Sequence, residues 1–219
     1  MITYNEIKHS EAIATYIKKA DESLCALGYT EHSFAHVGLV ASRGEYILSS
    51  LGFDAHDIEL VKIAAHLHDI GNIVNRREHS QSGAVMAFRI LDRMDMEPDD
   101  IATIVSAIGN HDEGTGEAVN PVAAALIIAD KSDVRRTRVR NNDFSTFDIH
   151  DRVNYSVIET DLSIDKEKEK ITLNLTIDTE ISPVIDYFEI FLERMLMCKR
   201  AARALNLEFK LIINGQTLI

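Results

Sequence analysis

The stretch AAHLHDIGN, residues 64–72, ends an apolar, helix-like run on His66, His68 and Asp69, at positions where the hydrophobic pattern expects core. Ile58, Val61, Ala65 and His68 share one helical face, with Asp54 placed to cap its start and Gly71 to stop it. An unpaired buried carboxylate costs several kcal/mol, so an aspartate at the end of such a stripe needs a partner. The violation recurs. His36 shares a face with Val40 and Ile47, and Asp130 lies four residues after Leu126 in a helix that opens at Asn120-Pro121, an N-cap followed by proline where its missing N–H costs nothing. A lone histidine on an apolar face is commonly a hydrogen-bonded core residue. Three helices that each bring polarity to a shared core point instead to a metal, because sites in helical bundles are built from facing helices. His36, His68, Asp69 and Asp130 suit Fe, Mn, Zn or a similar divalent ion, and a bound cation makes the aspartate charges stabilising.

Working outward, helical periodicity extends from Glu6 to about Arg140. Glu97-Pro98-Asp99-Asp100 opens a helix with a stripe of Ile101, Ile104, Val105 and Ile108, ended by Gly109. After about Arg152 the texture changes. Val153 to Ile164 is rich in β-branched residues, and Ile171, Leu173, Leu175 and Ile177 alternate with polar residues as in a half-buried strand. Residues 165–170, DKEKEK, form a hairpin tip between them; Pro183 to about Asn206 reads as a helix and Leu207 to Ile213 as a closing strand. The expected fold is mainly α: a helical domain over residues 1–150 with the metal site, and a small C-terminal α+β module of ββαβ order over residues 151–219.

Bulk properties narrow the function. The 219 residues carry a net charge of −12, a field that repels nucleic-acid backbones and argues against a polynucleotide partner. No run approaches the roughly 20 apolar residues of a membrane span, and the first residues lack the basic segment and apolar run of a secretory signal. Cys25 and Cys198 sit far apart in helical patterns and are expected to be reduced core residues. These features predict a cytoplasmic protein. His9, His56 and His150 lie among polar neighbours and are expected at the surface, while His66 projects away from His68 and is expected to pack beside the site or support it.

In chain order, His36, His68-Asp69 and Asp130 resemble the H…HD…D signature of the HD superfamily of metal-dependent phosphohydrolases, which are helical proteins; the similarity runs from about residue 30 to about residue 140. REHSQSGA places His79 before a helix with Gly83 allowing close approach, and GNHDEGTG places His111 just after one. These resemble the additional histidines of binuclear members, including the HD-GYP phosphodiesterases. His32, four residues before His36, is a further ligand candidate. The chain departs from HD-GYP proteins at Asn72, where they have lysine, at Asn110-His111-Asp112, where they have a paired HHE, and at residues 116–121, where the GYP tripeptide is missing. This argues against cyclic di-GMP. Asn72 also replaces the glutamate of the mononucleotidase branch.

The resemblance implies hydrolysis of a phosphoester or phosphoanhydride bond in a small anionic phosphorylated metabolite or nucleotide, through water activated by two divalent ions per chain. Fe or Mn is expected, with Zn, Ni, Co or Mg as alternatives. Asp69 would bridge the ions; His36, His68 and Asp130 would hold mainly one, and His79 and His111 the other. Asp69 and His68 are thereby the central catalytic residues, with Asp112 and Asp133 as supporting carboxylates. Lys131, Arg135, Arg136 and Arg138, read as continuing the Asp130 helix, are candidate phosphate ligands, as are Arg76 and Arg77. A second reading is a metal-dependent nucleotide sensor without turnover, and the C-terminal module is an expected surface for pairing with a second copy.

Overall fold

The computed structural model describes residues 2–167 and 169–219; Met1, and Lys168 at the hairpin tip, lie outside the described residues. The helices begin where their caps require. α1 (Tyr4–Lys8) has a reciprocal cap between Thr3 and Glu6, and Ser10 caps α2 (Glu11–Ala26). α3 (Phe34–Leu51) ends at Gly52, whose φ of 85° is the left-handed conformation that closes helices. In α4 (Ala55–Leu67) the Asp54 carboxylate accepts from the backbone N–H groups of His56 and Asp57. α5 (His79–Arg93) and α6 (Pro98–Gly109) follow, and α7 (Pro121–Lys131) starts at Asn120, which accepts from Ala123 N–H at 2.7 Å.

α7 is the axis of the fold. Val122 through Ala129 are buried without interruption, as expected of a helix apolar on every face, and α3, α4, α6 and a later helix, Val184–Ala204, pack around it. Helical structure then stops. Residues 132–148 form an irregular segment with two short 3-10 turns, Arg136–Arg138 and Phe144–Thr146, so the arginine run does not extend the Asp130 helix as its pattern suggested. Its side chains are held by acceptors within this segment, on α2 and in the loop that follows α2. Arg135 meets Asp133 and Glu31, Arg138 donates to Asp133 O and Glu31 O, and Arg140 pairs with Asp21.

The C-terminal part comprises α8 (Ile149–Ser156), β1 (Val157–Asp165), β2 (Lys170–Ile177), α9 (Val184–Ala204), β3 (Glu208–Ile213) and β4 (Gln216–Thr217). The β-branched run from Val153 is therefore strand only from Val157, because Asp148 caps α8, whose last turn takes Val153 to Ser156. β4, a two-residue return strand, was not expected; the sheet is β1-β2-β3-β4, antiparallel at both edges and parallel between β2 and β3, which α9 connects. Ile171, Leu173 and Leu175 pair in register with Phe209, Leu211 and Ile213 and are all buried. This apolar face joins the helical core in one cluster, and Ile164 N–H donates to Tyr46 Oη of α3 at 3.1 Å. Of the cysteines, Cys198 is buried as expected, but Cys25 is exposed, on the outer face of α2. Among the described residues no helix is long and apolar enough to cross a membrane.

Candidate metal centre

Six nominated side chains meet where helix ends converge. His36 lies in the first turn of α3, His68 caps the end of α4 with Asp69 next to it, His79 begins α5, His111 follows α6, and Asp130 is the penultimate residue of α7. The glycines make this approach feasible. A Cβ on Gly71 would lie 2.0 Å from His79 O and 2.4 Å from Gly83 N, and one on Gly83 would lie 3.0 Å from His68 O. The turn after the HD dipeptide thus presses against the start of α5 and brings His79 to Asp69. Gly71→Ala should displace α5 and destabilise the fold by about 3 kcal/mol, the upper end for overpacking; thermal unfolding measures it, and an unchanged melting temperature would show that the turn can yield.

The two oxygens of Asp69 face different histidines. Oδ2 lies 3.2 Å from His68 Nε2 and 3.6 Å from His36 Nε2, whereas Oδ1 lies 3.4 Å from His79 Nε2 and 3.9 Å from His111 Nε2. Asp130 Oδ1 is 3.3 Å from His36 Nε2 and 3.7 Å from His68 Nε2. The ligating atoms of His36, His68 and Asp130 lie within 4.8 Å of one another, as do those of His68, Asp69 and His111. His68 therefore stands between the two groups rather than wholly on the Asp130 side.

The other ring nitrogen of each histidine is already committed. His36 Nδ1 bonds Asp133 at 2.7 Å, His68 Nδ1 bonds Ala65 O at 2.7 Å, His79 Nδ1 bonds Arg76 O at 3.1 Å and His111 Nδ1 bonds Ile108 O at 2.6 Å. Each acceptor takes the Nδ1 proton, so a neutral ring directs its Nε2 lone pair inward. Lone pairs 3.2–3.3 Å apart, as between His79 and His111 or His36 and His68, oppose one another unless positive charge lies among them. Metal-bound histidines have this arrangement, with the outer nitrogen held by a carbonyl or carboxylate. Asn72 Nδ2 donates to Asp69 Oδ1 at 3.0 Å and orients the carboxylate; this is the role the structure gives the residue at which the chain departs from its relatives.

The electrostatics favour cations. Burial alone would raise both carboxyl groups, but His68 beside Asp69, and Lys131 beside Asp130, hold them well below the ordinary carboxylate range. Burial pulls the His68 imidazole down, and the facing Asp69 and Asp130 more than reverse it, to about 10. His111, buried and facing His68, is pushed well down. Asp133 is kept ionised by Arg138 and His36 against the effect of burial, so His36 rests on a charged acceptor. Asp133→Asn should weaken metal affinity about 10–100-fold, as read by metal titration; wild-type affinity would mean that the carboxylate charge does not reach the centre.

The remaining candidates divide. His32 precedes α3 instead of lying on it, so no shared helical face carries it to His36; its Nδ1 bonds Thr30 O at 2.7 Å and its ring packs edge-on to His36. His66 is buried against Tyr4, and burial lowers it to about 4. His9, His56 and His150 are exposed, as expected. Asp112 is half-buried next to Glu113, and burial and that neighbour raise its carboxyl. Of the expected phosphate ligands, Lys131 and Arg138 line the polar pit over the candidate metal ligands, together with Arg76. Arg135 and Arg136 do not: Arg135 is taken by Asp133 and Glu31, and Arg136 donates to Tyr155 O and lies over the Tyr155 ring. Arg77 is exposed.

Sequence reasoning did not find Arg194, which α9 brings to the same pit. It lies 2.7 Å from Glu113, and Lys131 lies 3.4 Å from the same carboxylate. Nothing in its local sequence marks it, since only the packing of α9 on α7 places it there. The pit opens into a cleft of about 500 Å³, which also reaches Tyr29, Phe191 and Asn154.

The family model for the HD domain matches residues 7–135, more than half of the chain. The chain belongs to the HD domain family. It is also similar to an uncharacterized protein of Methanocaldococcus jannaschii, at 24% identity over 159 residues, 63% of this chain and 61% of that protein; the chain thus spans about three fifths of this relative's length. A crystal structure of a predicted HD superfamily hydrolase from an uncultured Thermotogales bacterium matches with a TM-score of 0.46 and 24% identity, covering 58% of this chain and 69% of that one. All six ligand candidates fall inside the matched HD domain, whereas Arg194 lies beyond it.

Proposed function

We propose that this HD protein hydrolyses a phosphoester or phosphoanhydride bond of a small phosphorylated metabolite or nucleotide, with two divalent ions, Fe or Mn, held by His36, His68, Asp69, His79, His111 and Asp130. One observation carries the reading: the two Asp69 oxygens face separate histidine sets, each presenting its Nε2 atoms within 3.9 Å of the carboxylate. Nitrogen and carboxylate donors of this kind suit Fe, Mn and Zn. Two such ions supply a nucleophile at neutral pH by lowering the pKa of water, and they offset charge on phosphoryl oxygens.

The chain's own groups do the rest. Asn72 and Asp133 fix the orientation of Asp69 and His36. Lys131 keeps its charge in the pit because Asp130 and Glu113 outweigh the burial that would neutralise it. With Arg76, Arg138 and Arg194 it forms a local positive field in a protein of net charge −12, so an anion is drawn to this place and repelled elsewhere. The test is a panel of phosphorylated metabolites with the Mn²⁺-loaded protein. Turnover abolished by chelation and restored by Mn²⁺ or Fe²⁺ is expected. Turnover unchanged after exhaustive chelation would refute the reading, and tight nucleotide binding without turnover would turn it into a sensor.

A further inference from the structure

We propose that the cleft beside the metal centre selects phosphate monoesters whose leaving group is uncharged or cationic and rich in hydrogen-bond donors, and rejects molecules with a second phosphate. This rests on the phosphohydrolase reading above. The pit and the cleft share His32, Arg76, Arg138 and Arg194, which therefore form the neck between them. Three guanidinium groups at a neck hold one phosphate against the metal ligands. Among the described residues Arg194 makes one ion pair, to Glu113 through Nε, which leaves its terminal amino groups for an anion.

Beyond the neck the character reverses. Asp148, Asp151 and Asn154 line the part of the cleft that the pit does not share. Asn154 is only 5% exposed, and its Nδ2 donates to His150 O at 2.9 Å. No hydrogen bond to its Oδ1 is made among the described residues, so Asn154 brings an acceptor to the cleft wall. The Asp148 and Asp151 carboxylates add further acceptors. His150, itself exposed, lies within 4.0 Å of Asp148. Tyr29 and Phe191 supply apolar wall between the two ends. A ligand with its phosphate at the arginines thus presents hydroxyl or amino groups to acceptors, whereas a second phosphate meets carboxylates. Like-charge juxtaposition of this sort is how a site discriminates against an otherwise well-fitting competitor.

Fructose 6-phosphate and fructose 1,6-bisphosphate form a matched pair of probes. A merely cationic site binds the bisphosphate more tightly, so the expected order is the reverse of the simple one. Calorimetry on the Mn²⁺-loaded full chain should show the monophosphate binding about tenfold more tightly. Asp148→Asn combined with Asp151→Asn should bring the two affinities within about twofold, mainly through a gain for the bisphosphate. Asparagine at 148 still caps α8, and each single substitution should give part of the shift. Equal or tighter binding of the bisphosphate by the wild type, an unchanged ratio in the folded double variant, or binding of neither sugar at millimolar concentration would each overturn the proposal. Selective binding without hydrolysis would refute the phosphohydrolase reading and leave this one standing; hydrolysis of both sugars without preference would do the opposite.

Discussion

Asp69→Ala is expected to empty the centre of both ions and to lower phosphoester turnover by at least about a hundredfold. Removing a group that merely supports a metal ligand already costs about 10–100-fold, and among the described residues Asp69 is the one side chain with an oxygen toward each histidine set. No neighbour can substitute: Asp130 is turned toward His36, His68 and Lys131, and Asp133 is occupied by His36 and Arg135. Elemental analysis and initial rates on the folded variant decide it, with circular dichroism as the check on folding. Two ions per chain at a wild-type rate would mean that Asp69 is not the bridge.

His79→Ala and His111→Ala should each leave about one ion and cost about a hundredfold in turnover, because the remaining ion keeps His36, His68 and Asp130. A two-metal site works as a clamp on the attacking and leaving oxygens, so half a clamp loses most of the rate without losing all of the metal. The pattern distinguishes these histidines from packing residues. Removing a packing residue would lower the melting temperature and leave stoichiometry alone. Both variants retaining two ions and full activity would return His79 and His111 to a structural role.

Much of the centre was legible in the sequence because polarity on an apolar stripe is costly unless something offsets it. His36, His68, Asp69 and Asp130 each stand out in this way, and the structure brings them together. His79 and His111 needed the resemblance to known proteins, since each sits at a helix boundary where a polar residue is unremarkable. What failed depended on contacts distant in sequence. The arginine run looked like a continuation of the Asp130 helix, but Glu31 and Asp21, more than a hundred residues away, hold it in an irregular segment with a short 3-10 turn at Arg136–Arg138. His32 would share a helical face with His36 only if α3 already began there, and α3 begins two residues later. The alternation in Ile171–Ile177 revealed β2, while the two-residue β4 has too little chain to carry a pattern. Arg194 is the largest omission, because its place at the pit follows from the docking of α9 on α7.

Metal stoichiometry of the wild-type chain tests the central claim most directly. The full-length protein, stripped by chelation, reloaded anaerobically with Fe²⁺ or with Mn²⁺ and freed of excess ion, is analysed for metal per chain. Two equivalents are predicted, one for each oxygen of Asp69. A single equivalent at saturation, or none, would contradict the account.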